Sequence, residues 1–411
     1  MTFVLFVVKK MKIRSITYFC NPTYPLDDKI LQKAGDFLAR ARSAYASAGY
    51  EVQTVRLATI PFPELLGEEN ISKLPELTSQ LDAIAQALKI GYISLGPALP
   101  ELPRSYEVIP DAIFVSKNVF FGGKMADTTR GVNVSAVKAC AEVIVKCSSI
   151  EPNGFANLQF AALANVNAGA PFFPAAYHDD DKAMFAIATE SADLAVRAFE
   201  GANNLEEARG NLIREIETHG KRLTDVAKSF HYKFGGIDFS LAPFPSESQS
   251  LGTAFEKLGI QRVGLHGSLL AAAILTEAID RAEFLHTGFS GLMMPVLEDA
   301  TLAKRAAEGT LTIKDILLYS AVCGTGLDTI PLPGDTTSEH LVPLLLDLCV
   351  LALRLDKPLT ARLMPIPNKQ AGDATNFEFA FFAPSRVMAL DSEGLINSLS
   401  GIETFHLLSR K

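Results

Sequence analysis

The feature that most restricts what this 411-residue chain can fold into is a unit that recurs along it. A short apolar run stops at a proline or a small residue, and a run of helical period follows. The clearest instance is Gly288-Phe-Ser-Gly-Leu-Met-Met-Pro-Val-Leu-Glu-Asp299, leading into the helical run 300–308. Acids at 298 and 299 suit a helix start, where N–H groups lack partners and the macrodipole is positive. A strand that ends at such a turn and feeds a helix is the building unit of an α/β fold.

Read in order, strands are expected at 13–19, 52–57, 92–95, 110–119, 237–241, 262–265, 327–332, 360–366, 377–382 and 387–390. Helical periodicity covers 27–48, 72–88, 133–147, 190–199, 205–230, 246–258, 269–284, 313–323 and 339–355, with a final helix after 390. Residues 120–132 read as a glycine-loosened loop, and 157–166 fits either helix or strand. Proline stands at 97–100, 171–174, 242–245, 295, 331–333 and 365–367. It is tolerated where a strand stops and no ladder partner is needed. The expectation is one α/β domain over 11–411, a barrel of about ten strands with helices outside and the proline-bearing ends on one rim. A helical excursion near 190–233 stands apart from the repeat. The apolar stripe of its long helix, including Leu212 and Ile216, is expected to help form a homo-oligomer, with packing in the chain's own core as the alternative.

Hydrophobic residues make up 48% and charged residues 20%, enough for a large core. A formal charge of −8, with no basic cluster interleaved with aromatics, argues against nucleic acid as a partner. No apolar run is long enough for a membrane span. Five scattered cysteines with no CxxC pair fit a reducing compartment, so the expected location is cytoplasmic. The first ten residues lack the signal-peptide order of charge, apolar run and cleavage site, and read as an extension upstream of Met11.

Five strings resemble the uncharacterised bacterial and archaeal family known as domain of unknown function 711. They are Met11–Thr17, Gly236–Pro243, Gly288–Asp299, Val322–Pro331 and Arg362–Pro367. The resemblance runs from Met11 to past Val387. It implies a ten-stranded α/β barrel like that of the pyruvate formate-lyase-type glycyl radical enzymes, and carries no reaction with it. Those enzymes resemble one another in an Arg-Val-x-Gly-aromatic motif near the C-terminus. This chain has Arg386-Val-Met-Ala-Leu390 instead, and alanine cannot hold a backbone glycyl radical.

Among single residues, Glu298 is a candidate general base if burial raises its pKa, and equally a helix-terminal acid. His266, before Gly267 and Ser268, is the best-placed histidine, with a structural role as the alternative. Cys323 is a nucleophile only with a base nearby, and otherwise a buried thiol. Asp335 fits catalysis or, better, a turn or cap. Asp328 and Lys369 are candidate substrate contacts near strand ends. Thr128, Thr129 and Arg130 could cradle a phosphate, although the Walker spacing is absent. His178 before Asp179, Asp180 and Asp181 lacks the spacing of a metal site, and no motif names a cofactor. The function expected is an enzyme using carboxylate and histidine acid–base chemistry on a small polar metabolite, without radical chemistry. The alternative is a non-catalytic metabolite-binding or scaffold protein.

Overall fold

β1 (Lys12–Cys20) sets the pattern for the molecule. Its side chains alternate, as in any strand. Ile16 and Tyr18 face the helix Asp28–Ser47, where the Tyr18 and Phe37 rings lie 5.3 Å apart. Ser15 and Thr17 face the other way and donate to the carbonyl of Pro171 at 3.4 and 3.1 Å. The remaining strands are β2 (Val52–Thr59), β3 (Tyr92–Ala98), β4 (Val119–Asp127), β5 (Gly131–Asn133), β6 (Phe160–Ala164) and β7 (Met184–Glu190). They are followed by β8 (Lys233–Ala242), β9 (Gly326–Pro333), β10 (Leu359–Ile366) and β11 (Thr404–Phe405). This computed structural model describes residues 11–322 and 324–410, so Cys323 and the 1–10 extension lie outside the described residues.

The strands form one 11-stranded sheet in the order β8-β7-β1-β2-β3-β4-β6-β10-β9, with β5 and β11 attached beside β4. β1, β2, β3, β4 and β6 are mutually parallel. β7 is antiparallel to β1, and β10 is antiparallel to β6, while β7–β8 and β9–β10 are parallel pairs. The five central strands therefore run one way, and the pairs β7–β8 and β9–β10 at the two ends of the order run the other. This corrects the expectation of one rim for all proline-bearing ends. The end of β3 at Pro97 and Pro100 points opposite to the ends of β8, β9 and β10. Proline marks where a strand stops but says nothing about which way it runs.

Several elements also differ from the sequence reading. Residues 109–115 are helical, with Pro110 in the first turn where its missing N–H costs nothing. The glycine-rich stretch after it is β4 itself. A Cβ on Gly123 would stand 2.6 Å from Cys140 Sγ, so glycine there permits close helix–sheet packing. β7 was missed because its alanines carry weak strand preference, and pairing with β1 and β8 decides the matter. Residues 262–265 form a turn, and Gly264 at φ +103° lets the Thr310 carbonyl approach. Residues 377–382 and 387–390 are irregular, and the C-terminal helix is one short turn, Asn397–Ser400.

The long helix Leu205–Ala227 buries Ala208, Leu212, Ile216 and Leu223 in the chain's own core. Its stripe is thus already covered without a second copy. Leu212→Asp is expected to place an unpaired charge in that core and to yield aggregated or unfolded protein. Soluble, folded Leu212→Asp protein in a sedimentation run would contradict this placement.

The stretch 288–299, between the helices Ser268–Arg281 and Ala300–Ala307, is irregular and runs alongside both β8 and β9. Single parallel bridges join Ile237 to His286 and Pro295 to Asp328. Asp238 of β8 accepts N–H bonds from Phe289 and Ser290 at 2.7 and 2.9 Å. Gly288, at φ +63°, has no room for a side chain, since a Cβ would stand 2.2 Å from Asp238 Oδ2. Burial pushes the Asp238 carboxyl up to about 6 despite these donors. Asp299 is fully buried and caps two helices at once. It accepts from Thr301 and Leu302 N–H at 2.9 Å each, and from Leu251 N–H at 2.6 Å.

Candidate anion-binding cavity

An arginine in the middle of an apolar strand needs a partner, because a buried charge without one is strongly unfavourable. Among the described residues three arginines lie in strands: Arg14 on β1, Arg56 on β2 and Arg362 on β10. All three line one cavity of about 70 Å³. Its wall also includes Glu298, the rings of Tyr92, Phe120, Phe172 and Phe173, and the side chains of Phe379 and Phe381. The cavity lies at the amino ends of β2, β3 and β4. Glu190 closes the network from the last position of β7, which runs the other way.

Two of the arginines are paired. Arg14 bonds Glu298 and reaches Glu190 at 3.4 Å. Arg362 donates to Glu298 at 2.8 Å and to Asp328 at 2.5 Å. Glu298 thus sits between two guanidiniums and is 4% exposed. Burial alone would raise its pKa, but Arg14 and Arg362 together hold the carboxyl below the usual glutamate range. Burial dominates at Asp328 and Glu190 and pushes both upward. Thr329, next to Asp328, has φ +44°, an unusual conformation for a β-branched residue. Its hydroxyl accepts the Leu297 N–H at 3.2 Å, which ties the segment carrying Glu298 to β9.

Arg56 is different. It is 7% exposed, and among the described residues no carboxylate lies within ion-pair distance of it. Its Nε donates to Thr54 Oγ1 at 2.8 Å. Its guanidinium carbon lies 5.0 Å from the Phe173 ring centre and 5.6 Å from that of Tyr92. Burial, then repulsion from Arg14, lowers its pKa to about 9, so the group is still a cation at neutral pH. Cation–π contacts soften this isolation but do not neutralise the charge.

The other sequence candidates fall elsewhere. His266 is exposed on the turn before the helix Ser268–Arg281. Asp335 is exposed two residues past β9, and Lys369 meets that turn through its carbonyl, which accepts from Gly334 N–H at 2.9 Å. Thr128, Thr129 and Arg130 form an exposed turn. The N–H groups of Thr129 and Arg130 bind Asp127, and the Arg130 side chain pairs with Glu101. Glu298 and Asp328 are the two candidates brought together, through Arg362. No group of three potential metal-binding side chains occurs among the described residues, and no described helix is long and apolar enough to cross a membrane.

Residues 5–383 match the family described as Uncharacterised ACR (DUF711). The chain belongs to that family. A UPF0210 protein from Pyrobaculum islandicum is 31% identical over 405 residues, which cover 90% of this chain and 88% of the relative. UPF0210 proteins from Oenococcus oeni and Neisseria gonorrhoeae are 26% and 27% identical over 369 and 372 residues, each covering 85% of this chain and 82% of the relative. In this DUF711 chain, the strings that carried the resemblance supply Arg14, Glu298, Asp328 and Arg362. Arg56, Tyr92, Phe173, Phe379 and Phe381 lie outside them. The signal that marks Arg56 is the one overlooked in the sequence reading, a lone arginine within Val55-Arg-Leu-Ala58.

Proposed function

We propose that this cavity binds a small organic anion and that Arg56 is its anchor. The observation that carries the reading is a buried guanidinium with no acid beside it, facing a cavity walled by aromatic rings. Retaining such a group is unfavourable in the free protein and becomes favourable once an anion supplies the missing charge. The mixed sheet suits this use if it curls into a ten-membered barrel, with 286–297 as the tenth member between β8 and β9. Contact of Arg14 with Glu298, and of Glu298 with Arg362 five strands away, supports that curvature.

A second reading, turnover of the bound anion, is favoured by the position of Glu298 on the cavity wall. Despite burial, Arg14 and Arg362 lower its pKa where a general base needs it raised, so Glu298 would be a weak proton acceptor and not an acid. His266 lies on an exposed turn, so a carboxylate–histidine pair has no support. Titration calorimetry with a panel of organic anions should show saturable binding that Arg56→Met abolishes. Binding unaffected by that substitution would overturn the assignment. Under the second reading, Glu298→Gln should retain binding and lose conversion of the anion.

A further inference from the structure

The charges and walls of the cavity narrow the class of anion. Of the three arginines that line it, Arg14 is paired with Glu190 and Glu298, and Arg362 with Glu298 and Asp328. Arg56 is the one left without an acid beside it. One negative charge answers this group, whereas a dianion would bring an excess into a poorly solvated space. The donors tell the same story. Arg14 and Arg362 are committed to acids, and the Gln53 amide donates to Glu190 at 3.1 Å. Arg56, with Nε held by Thr54, offers the paired Nη edge that matches the two oxygens of a carboxylate.

Beyond the arginines, Glu298, Gln53 and Thr54, the lining is aromatic and apolar. Phe120, Phe172, Met293 and Leu158 form the floor and sides, and Phe379 and Phe381 come from the irregular C-terminal segment. That segment is pinned beside the cavity. Phe382 packs with Leu297 and Met364, and Ala383 N–H donates to the Leu297 carbonyl at 2.7 Å. Acetate would leave these walls without a partner, and a polyhydroxylated acid would bury hydroxyls against them.

We infer that the ligand is a monocarboxylate with a compact apolar body, its carboxylate on Arg56 and its body against Phe379 and Phe381. This rests on the proposed anion site and deepens it. A volume of about 70 Å³, against the roughly 150 Å³ of a cavity that takes benzene, sets the body at a few carbons, such as a short branched chain.

The experiment measures dissociation constants of the full chain for 3-methylbutanoate, benzoate, acetate and isobutyl phosphate. Either of the first two should bind at least tenfold more tightly than acetate, because the added carbons are buried. It should also bind at least tenfold more tightly than isobutyl phosphate. Phe379→Ala should weaken the apolar acid more than tenfold and leave acetate within about twofold. Tighter, Arg56-dependent binding of the phosphate, or equal binding of acetate, would overturn the carboxylate inference and leave the anion site standing. Failure of all four, or binding that survives Arg56→Met, would overturn both.

Discussion

Arg56→Met is expected to produce a protein that unfolds at a higher temperature than the parent while no longer responding to anions. In the free protein, Arg56 is a buried cation whose pKa is depressed to about 9 from an ordinary value above 12. A base with a lowered folded-state pKa binds fewer protons folded than unfolded between those values. Its destabilising effect is therefore fully present at neutral pH and fades as pH rises through about 9 and beyond. Methionine fills a similar volume and contacts Tyr92 and Phe173 without a charge. The gain should be about 1–3 kcal/mol, a shift of a few degrees in a chain of this size. Calorimetry with and without a binding anion separates the two effects. The parent should gain stability with ligand concentration and the variant should not. A variant less stable than the parent would mean that Arg56 has a partner in the free protein, and the anion site would lose its main support.

Glu298→Gln should act in the opposite direction. Its carboxylate is shared by Arg14 and Arg362, so the amide leaves two buried guanidiniums with less compensating charge. Removing one member of such a network destabilises by about 3–5 kcal/mol. Combining it with Arg362→Met should cost less than the sum of the two single changes, because the groups share one network. Denaturant titrations of the four proteins test this, and additive, small effects would contradict it. The folded-state pKa of Glu298 is depressed, so its contribution is complete above the ordinary glutamate value of about 4.3. It is lost as pH falls through the lower folded-state value. The parent should accordingly show an acid-side loss of stability that Glu298→Gln reduces.

The strings that resemble DUF711 placed the family correctly, and the α/β class followed from the repeated strand-then-helix pattern. β1, β2, β9 and β10 were legible because Ile, Val, Thr and Leu dominate runs bounded by turn residues. Asp299 could be read as a helix-terminal acid, since capping is a local matter of a few residues. Strand direction could not be read this way. A run such as Met184–Glu190 has the same composition whether it lies parallel or antiparallel to β1, and only the packed sheet chooses. The site was hidden for the same reason. Arg56 and Arg362 are each a lone charge in an apolar run, Arg14 follows Lys12 closely, and the three are separated by 42 and 306 positions along the chain. Local sequence placed each of them in a strand. Which arginines would find carboxylates, and that Arg56 would be left facing a cavity, depended on charges brought together from distant strands, which only the tertiary structure could decide.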